Sequence, residues 1–143
     1  MTDKLRRFGR LEGRDKWMLF HAALWLAAAR VMLMAMPFPK LASSLSGKDR
    51  EEVDAPDAEL LRRISAAVGA AAGNVPWRSD CFPQAIAGHM LLRHHGYRST
   101  IHLGVERGGG DDLKGHAWLT SGDTVVTGGE NLDRYVETLH IDG

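Results

Sequence analysis

The chain has little cysteine and no excess of charge, and both shortages exclude classes of protein. Cys81 is the only cysteine among 143 residues, so an internal disulfide and a zinc site built on paired cysteines are both excluded. Lys plus Arg equals Asp plus Glu at 18 each, so no overall charge directs the protein to nucleic acid. A single thiol favours a reducing compartment. We therefore expect a cytoplasmic protein with no metal, cofactor or nucleic-acid partner.

The sequence also lacks an uninterrupted hydrophobic run of membrane-spanning length. An apolar stretch extends from Trp17 to Met36, but its longest part without an acid or strong base, Trp17 to Ala29, has only 13 residues. A bilayer needs about 20 apolar residues, and Arg30 near the middle of a span would cost about 2.5–3.5 kcal/mol. Because this helix is apolar on all sides, the domain, a partner or a membrane surface must cover it. A buried helix is favoured over membrane contact, and a peripheral location stays open.

Helix signals come first along the chain. Three helices are predicted, over Trp17–Met36, Asp57–Ala72 and Asp80–Gly96. Residues Lys40 to Pro56 have the composition of a linker. We expect residues 1–56 to form an apolar helix and linker that pack on or dock to the rest. Residues 57–143 are expected to form the core of the domain.

Strand signals follow the helices. Alternating apolar residues and turn signals predict four strands, over Ile101–Glu106, His116–Thr120, Thr124–Gly128 and Tyr135–Ile141. The glycine-rich segment Arg107–Gly115 is either a mobile lid or a plain connection. Helices followed by an antiparallel sheet indicate the α+β class, with the last helix packed on a small sheet.

Cys81 falls in the first turn of the third predicted helix. The unpaired N–H groups and the positive dipole end of the helix stabilise a thiolate there, and the same N–H groups can hold an oxyanion. Ala85 and Gly88 lie on the face of Cys81, one and two turns further on, and such small residues let a sheet approach closely. Taken alone, an inert buried thiol is the commoner interpretation.

His116 favours a catalytic role for Cys81 over that of an inert thiol. It begins a predicted strand next to glycine, where an imidazole can act as a general base for Cys81. A third residue should orient the ring, and two alternatives are open. Glu130 lies just past the position opposite His116, whereas Asp123 lies in the hairpin turn, where a purely turn-forming role is favoured. Three other histidines show no spacing that indicates a metal site: His89, His102 and His140.

Several stretches together carry a family resemblance. They are Val75-Pro76-Trp77 to Asp80-Cys81, Gly96-Tyr97, Leu103-Gly104-Val105, His116-Ala117-Trp118-Leu119 to Gly129, and the apolar helix ending in Met36-Pro37-Phe38. In these stretches the chain resembles the lasso-peptide leader peptidases, the transglutaminase-like proteases of bacterial lasso-peptide biosynthesis. The Cys and His-Ala-Trp pairing occurs across the wider transglutaminase-like superfamily. The apolar helix with its Pro-Phe turn narrows the resemblance to the lasso group.

The resemblance implies a Cys–His–acid peptidase that removes the leader from a lasso precursor peptide, before an ATP-dependent cyclase closes the ring. Cys81 would be the nucleophile and His116 the base. The acid of the family normally follows one short strand later, where this chain has Thr127-Gly128-Gly129-Glu130, so the third role is open. Many members begin with a leader-recognition domain. Because the chain has no room for one before Trp17, the resemblance implies a separate leader-recognition protein.

Two other functions remain as alternatives. One is a different transglutaminase-like acyl transferase or amide hydrolase. The other is a non-catalytic scaffold module that docks through the apolar N-terminal helix.

Overall fold

Helices occupy the first part of the chain and strands the last part. The computed structural model describes residues 13–45, 57–74, 81–106, 115–129, 132 and 135–142. Within these residues the helices are α1 (Gly13–Ala35), α2 (Phe38–Leu45), α3 (Ala58–Asn74) and α4 (Cys81–His94). The strands are β1 (Thr100–Glu106), β2 (Gly115–Ser121), β3 (Thr124–Thr127) and β4 (Tyr135–Asp142). This arrangement confirms the predicted α+β class.

The four strands form one antiparallel sheet in the order β3-β2-β1-β4. Side chains along β2 alternate between the two faces, so Ala117 and Leu119 are buried while His116 and Trp118 are only partly covered. The buried face packs against α4. One face of the sheet therefore belongs to the core, and the other carries polar and aromatic side chains.

At Gly88, α4 lies close to the sheet. A Cβ atom on Gly88 would lie 2.7 Å from Leu119 Cδ2 and 3.5 Å from Thr127 Cγ2. A larger residue would therefore push the helix away from β2 and β3. This close approach confirms, at Gly88, the role that the small residues of the third predicted helix suggest.

Helix α1 packs on α3 and α4 through one of its faces. Ala22, Leu26 and Ala29 are fully buried and belong to the same hydrophobic core as the inner residues of the sheet. Both sides of the predicted boundary at residues 56 and 57 thus contribute to one core.

The predicted linker at Lys40–Pro56 is wrong for its first residues, because α2 occupies Phe38–Leu45. Pro39 lies in the first turn, where a missing N–H costs nothing, so this proline begins a helix after Pro37 has separated it from α1. Leu41 and Leu45 are both buried, and this packing stabilises a helix whose serines favour other conformations.

Helix α4 ends near Gly96, as the sequence predicts. Gly96 has a φ of +86°, its N–H donates to the Arg93 carbonyl at 3.0 Å, and the N–H of Tyr97 donates to the Leu92 carbonyl at 2.9 Å. These bonds form the Schellman arrangement that a left-handed glycine makes possible. The predicted caps of this helix, Ser79 and Asp80, lie outside the described residues. The predicted loop at Arg107–Gly115 lies outside them too, except for Gly115.

Candidate active site

Cys81 is the first residue of α4. Its side chain is partly buried and packs at the edge of the hydrophobic core. The first N–H groups of a helix have no partner within the helix, so they are available to an anion near the cysteine sulfur. A partly exposed thiol at this position is accessible to a peptide substrate.

The buried ring of His89, one residue after Gly88, holds the middle of α4 in place. The His89 Nε2–H donates to the Leu45 carbonyl at 2.8 Å, and in this tautomer Nδ1 accepts from the Ser99 hydroxyl at 2.6 Å. Ser99 comes just before β1, whose first residue Thr100 pairs with Thr120 near the end of β2. The middle of α4 therefore lies over the end of β2.

Cys81 and His116 belong to two elements that pack on each other. Cys81 begins α4, and Gly88 in the same helix lies against Leu119 of β2, the strand that carries His116. From Gly88 back to Cys81 the helix advances about 10 Å, at about 1.5 Å per residue. From Leu119 back to His116 the strand also advances about 10 Å, at about 3.3 Å per residue.

The His116 ring is oriented by a backbone carbonyl. The Nε2 atom of His116 lies 2.7 Å from the oxygen of Gly128. A carbonyl oxygen only accepts hydrogen bonds, so Nε2 carries the proton and donates it. In the neutral ring Nδ1 then holds the lone pair, which is the atom a general base uses.

Gly128 can hold this position only because it lacks a side chain. Its φ is +71°, and a Cβ atom would lie 2.5 Å from the Ala117 carbonyl oxygen and 3.0 Å from Trp118 Cβ. Both the left-handed backbone and the close approach to β2 require glycine. The sequence interpretation missed this acceptor, although a Gly-Gly pair directly after a strand is a signal of close backbone approach.

Two aromatic side chains stack against the His116 ring. Tyr135 stacks on it with ring centroids 4.6 Å apart and planes 25° apart, and Trp118 stacks at 5.9 Å and 22°. Gly104 on β1 leaves room for Trp118, because a Cβ there would lie 3.0 Å from the indole ring. The sequence interpretation did not include Tyr135 in the site, because Tyr135 is distant from His116 along the chain.

The two central residues are not hydrogen-bonded to each other. Among the described residues, no hydrogen bond joins the Cys81 sulfur to the His116 ring. The alternation along β2 explains this, because Ala117 faces α4 while His116 points to the opposite side. Catalytic contacts are often loose before substrate binds.

Neither predicted third residue is joined to His116 in the described structure. Asp123 is exposed in the β2–β3 turn, and His116 lies at the opposite end of β2, five residues before Ser121 and hence about 16 Å from it. Asp123 is therefore a turn residue and cannot orient the ring. Glu130 lies outside the described residues. The prediction that Glu130 lies just past the position opposite His116 assumed an unbroken register, but an irregularity between Leu119 and Thr120 shifts the β2–β3 pairing by one residue.

His102 has partners that its sequence spacing did not reveal. Its Nδ1 atom is hydrogen-bonded to the Glu137 carboxyl group, its Nε2 atom lies 2.8 Å from Thr120 Oγ1, and its ring stacks on Trp118 with centroids 5.3 Å apart. Tyr135, His116, Trp118 and His102 thus form a row of rings across the outer face of the sheet. In the described part of the chain, no group of three or more His, Cys, Asp or Glu could hold a metal ion.

The fold and the site define a class. A helix that begins with a cysteine packs on an antiparallel sheet that carries a histidine, and thiol-dependent hydrolases and acyl transferases use this pair of residue types. A family profile for the transglutaminase-like superfamily matches residues 23–140, and the chain belongs to this superfamily. Its members include cysteine peptidases and acyltransferases. The match supports the superfamily and does not single out the lasso-peptide leader peptidases. No curated protein and no solved structure matches the chain.

Proposed function

We propose that this protein is a cysteine peptidase that removes the leader from a lasso-peptide precursor. One observation carries the catalytic part of the proposal. Cys81 begins α4, which packs on the strand that carries His116, and the Nε2–H of His116 is held by the Gly128 carbonyl. The substrate class rests on the resemblance of the Cys81 and His116 segments, together with the apolar helix and its Pro-Phe turn, to lasso leader peptidases.

In the proposed reaction, His116 Nδ1 takes the thiol proton of Cys81. The thiolate then attacks the carbonyl carbon at the leader–core junction and forms a C–S bond. The N–H groups at the start of α4 hold the resulting oxyanion. The imidazolium gives its proton to the leaving amine as the C–N bond breaks, which releases the core peptide. Water then hydrolyses the thioester, which releases the leader as a carboxylic acid and restores the thiol.

The partners follow from the same proposal. A separate recognition protein would deliver the leader, and an ATP-dependent cyclase would receive the released core peptide. We place the reaction in the cytoplasm, because Cys81 must stay reduced to act as a nucleophile.

The test combines the purified protein with a leader-recognition protein and a lasso precursor, and follows the released leader by mass spectrometry. We expect cleavage by the natural chain and none by Cys81→Ala. Asp123→Asn serves as a matched variant, because Asp123 lies in the turn and should not affect cleavage. Equal cleavage by Cys81→Ala would refute the proposal.

The structure also contains an observation that favours a non-catalytic module. In the described residues Cys81 and His116 share no hydrogen bond, and large apolar side chains of α1 are exposed. The rate of alkylation by iodoacetamide separates the two functions. A catalytic Cys81 reacts fast near neutral pH and slows when His116 is replaced by Ala, whereas the thiol of a scaffold reacts slowly in both proteins.

A further inference from the structure

Helix α1 has a second apolar face that the domain leaves uncovered. We call this face the outer stripe, and it consists of Trp17, Phe20, Leu24, Val31 and Met34. These side chains are between 52% and 79% exposed. They recur at intervals of three, four and seven residues, which places them on one side of a helix. Contiguous exposed apolar surface of this kind marks an interaction site.

The outer stripe lies opposite the face that packs into the core. Ala22, Leu26 and Ala29 are fully buried, and at about 100° per residue they point away from Phe20, Leu24 and Val31. Residues Lys16–Ala35 are long and apolar enough to cross a membrane by length and composition. Because the core occupies the inner face of the helix, lipid can reach only the outer stripe. This geometry suits a helix that lies on a membrane rather than one that crosses it.

The charges around the outer stripe are basic at both ends. Residues 1–16 carry six basic and three acidic side chains, so positive charge precedes Trp17. Arg30 borders the far half of the stripe, Lys40 follows it on α2, and both are exposed. From residue 16 to residue 50 the sequence has five Lys or Arg and one acid, Asp49. The surroundings of the stripe therefore complement an anionic surface.

The same charges disfavour a second copy of this chain as the occupant. If two stripes packed in parallel, Lys16 and Arg30 of one copy would meet Lys16 and Arg30 of the other. If they packed antiparallel, Lys16 of each copy would approach Arg30 and Lys40 of the other. Both arrangements bring like charges together, which weakens association.

We propose that the outer stripe rests on an anionic membrane surface, with α1 parallel to the plane of the bilayer. Trp17 and Phe20 follow the basic N-terminal residues in the sequence and enter the interfacial layer, where aromatic rings are favoured. The basic residues contact the lipid phosphates, and the core-facing side of α1 keeps the domain attached above the surface. Apolar contact and electrostatic attraction together give the reversible binding of interfacial helices. This inference does not depend on the proposed peptidase activity.

The test is co-sedimentation of the full chain with vesicles. One set contains equal amounts of phosphatidylcholine and phosphatidylglycerol, and the other contains phosphatidylcholine alone. We expect sedimentation with the anionic vesicles, much weaker sedimentation with the neutral ones, and a decrease as salt is raised. The assay uses no peptide and measures no cleavage. A negative result would therefore not contradict the proposed peptidase function, and a negative cleavage assay would not contradict the membrane proposal.

A matched pair of variants locates the binding surface. Phe20→Glu with Leu24→Glu changes the outer stripe, and binding should fall by about tenfold or more. Val136→Glu with Leu139→Glu adds the same charge at exposed apolar positions of β4, 44% and 43% exposed, and should leave most of the binding intact. Circular dichroism verifies folding, and Phe20→Ala with Leu24→Ala provides a milder stripe variant.

Three results would overturn the proposal. The first is a natural chain that stays in the supernatant with anionic vesicles. The second is a stripe variant that binds as well as the natural chain, or a β4 variant that loses as much binding. The third is dimerisation that requires the stripe in the absence of lipid, which would assign the surface to a second copy.

Discussion

The two faces of β2 contact different parts of the molecule. On the inner face, Ala117 and Leu119 pack under α4 at a distance that only Gly88 permits. On the outer face, His116 and Trp118 belong to a row of stacked rings and polar partners. A single strand thus positions the helix that carries Cys81 with one face and supports the candidate base with the other. Substitutions on the two faces should therefore separate stability from activity.

The largest effect is expected at His116. Replacing it by Ala should lower leader cleavage by about a thousandfold, because the thiol loses its base and the leaving amine its acid. The free energy of unfolding should change by less than about 1 kcal/mol, since His116 is only partly buried. Cleavage kinetics and urea unfolding measure the two quantities. A large loss of stability with little loss of activity would reverse the assignment of the outer face.

Gly128→Ala tests the carbonyl that orients His116. The new Cβ would overlap the Ala117 carbonyl at 2.5 Å and strain a φ of +71°, so the Gly128 oxygen must move. We expect cleavage to fall by roughly tenfold to a hundredfold and stability by about 1–3 kcal/mol.

The control is Gly129→Ala at the next position. A Cβ there meets only the Val125 side chain, with Cγ1 at 3.0 Å and Cβ at 3.6 Å, and Gly129 is not among the glycines with positive φ. It should change both quantities less. If Gly129→Ala impaired cleavage as much as Gly128→Ala, the carbonyl would not have the orienting role assigned to it.

Gly88→Ala tests the inner face. An added methyl would lie 2.7 Å from Leu119 Cδ2, so the Leu119 side chain or α4 must shift, at a cost of about 1–3 kcal/mol. Gly69→Ala on the exposed side of α3 meets nothing within 4 Å and should stabilise the protein by about 0.5–1 kcal/mol. Thermal and urea unfolding compare the two variants. Equal effects would show that α4 and β2 are less closely packed than the structure indicates.

The smallest effect concerns His95, at the end of α4. Burial, followed by the charges of His94 and His21, lowers the pKa of His95 below its ordinary value of 6.5. The unfolded chain therefore binds a proton at higher pH than the folded one, and stability decreases as pH falls below about 6.5. Because His95 is largely exposed, the decrease should be small. Denaturation between pH 5 and 8 should show a flatter profile for His95→Gln, and an unchanged profile would contradict this cause.

The sequence predicts the parts of the fold that local chemistry controls. Gly96 ends α4 in the left-handed conformation, and Ser121 pairs with Thr124 across the expected turn. The sequence misses α2, because Pro37, Pro39 and the following serines resemble a linker until the burial of Leu41 and Leu45 is known. Local signals do not report the packing that stabilises a short helix.

The sequence likewise predicts some residues of the candidate site and misses others. Cys81 and His116 can be selected by residue type and by their places at the start of a helix and a strand. The partner of His116 cannot be selected in this way, because a backbone carbonyl has no side-chain signature and the β2–β3 irregularity shifts the register by one residue. The Glu137 partner of His102 lies 35 residues away and meets it only through the pairing of β1 with β4.

By itself, the sequence determined the α+β order of elements, the single thiol at a helix start and an N-terminal helix that is apolar on all sides. Only the tertiary structure decided which side of that helix is buried, how closely α4 approaches the sheet at Gly88, and which atom holds the His116 ring. The physical reason is that helix starts, turns and periodicity depend on neighbouring residues. Register, close backbone approach and the choice of a buried face depend on contacts between distant parts of the chain.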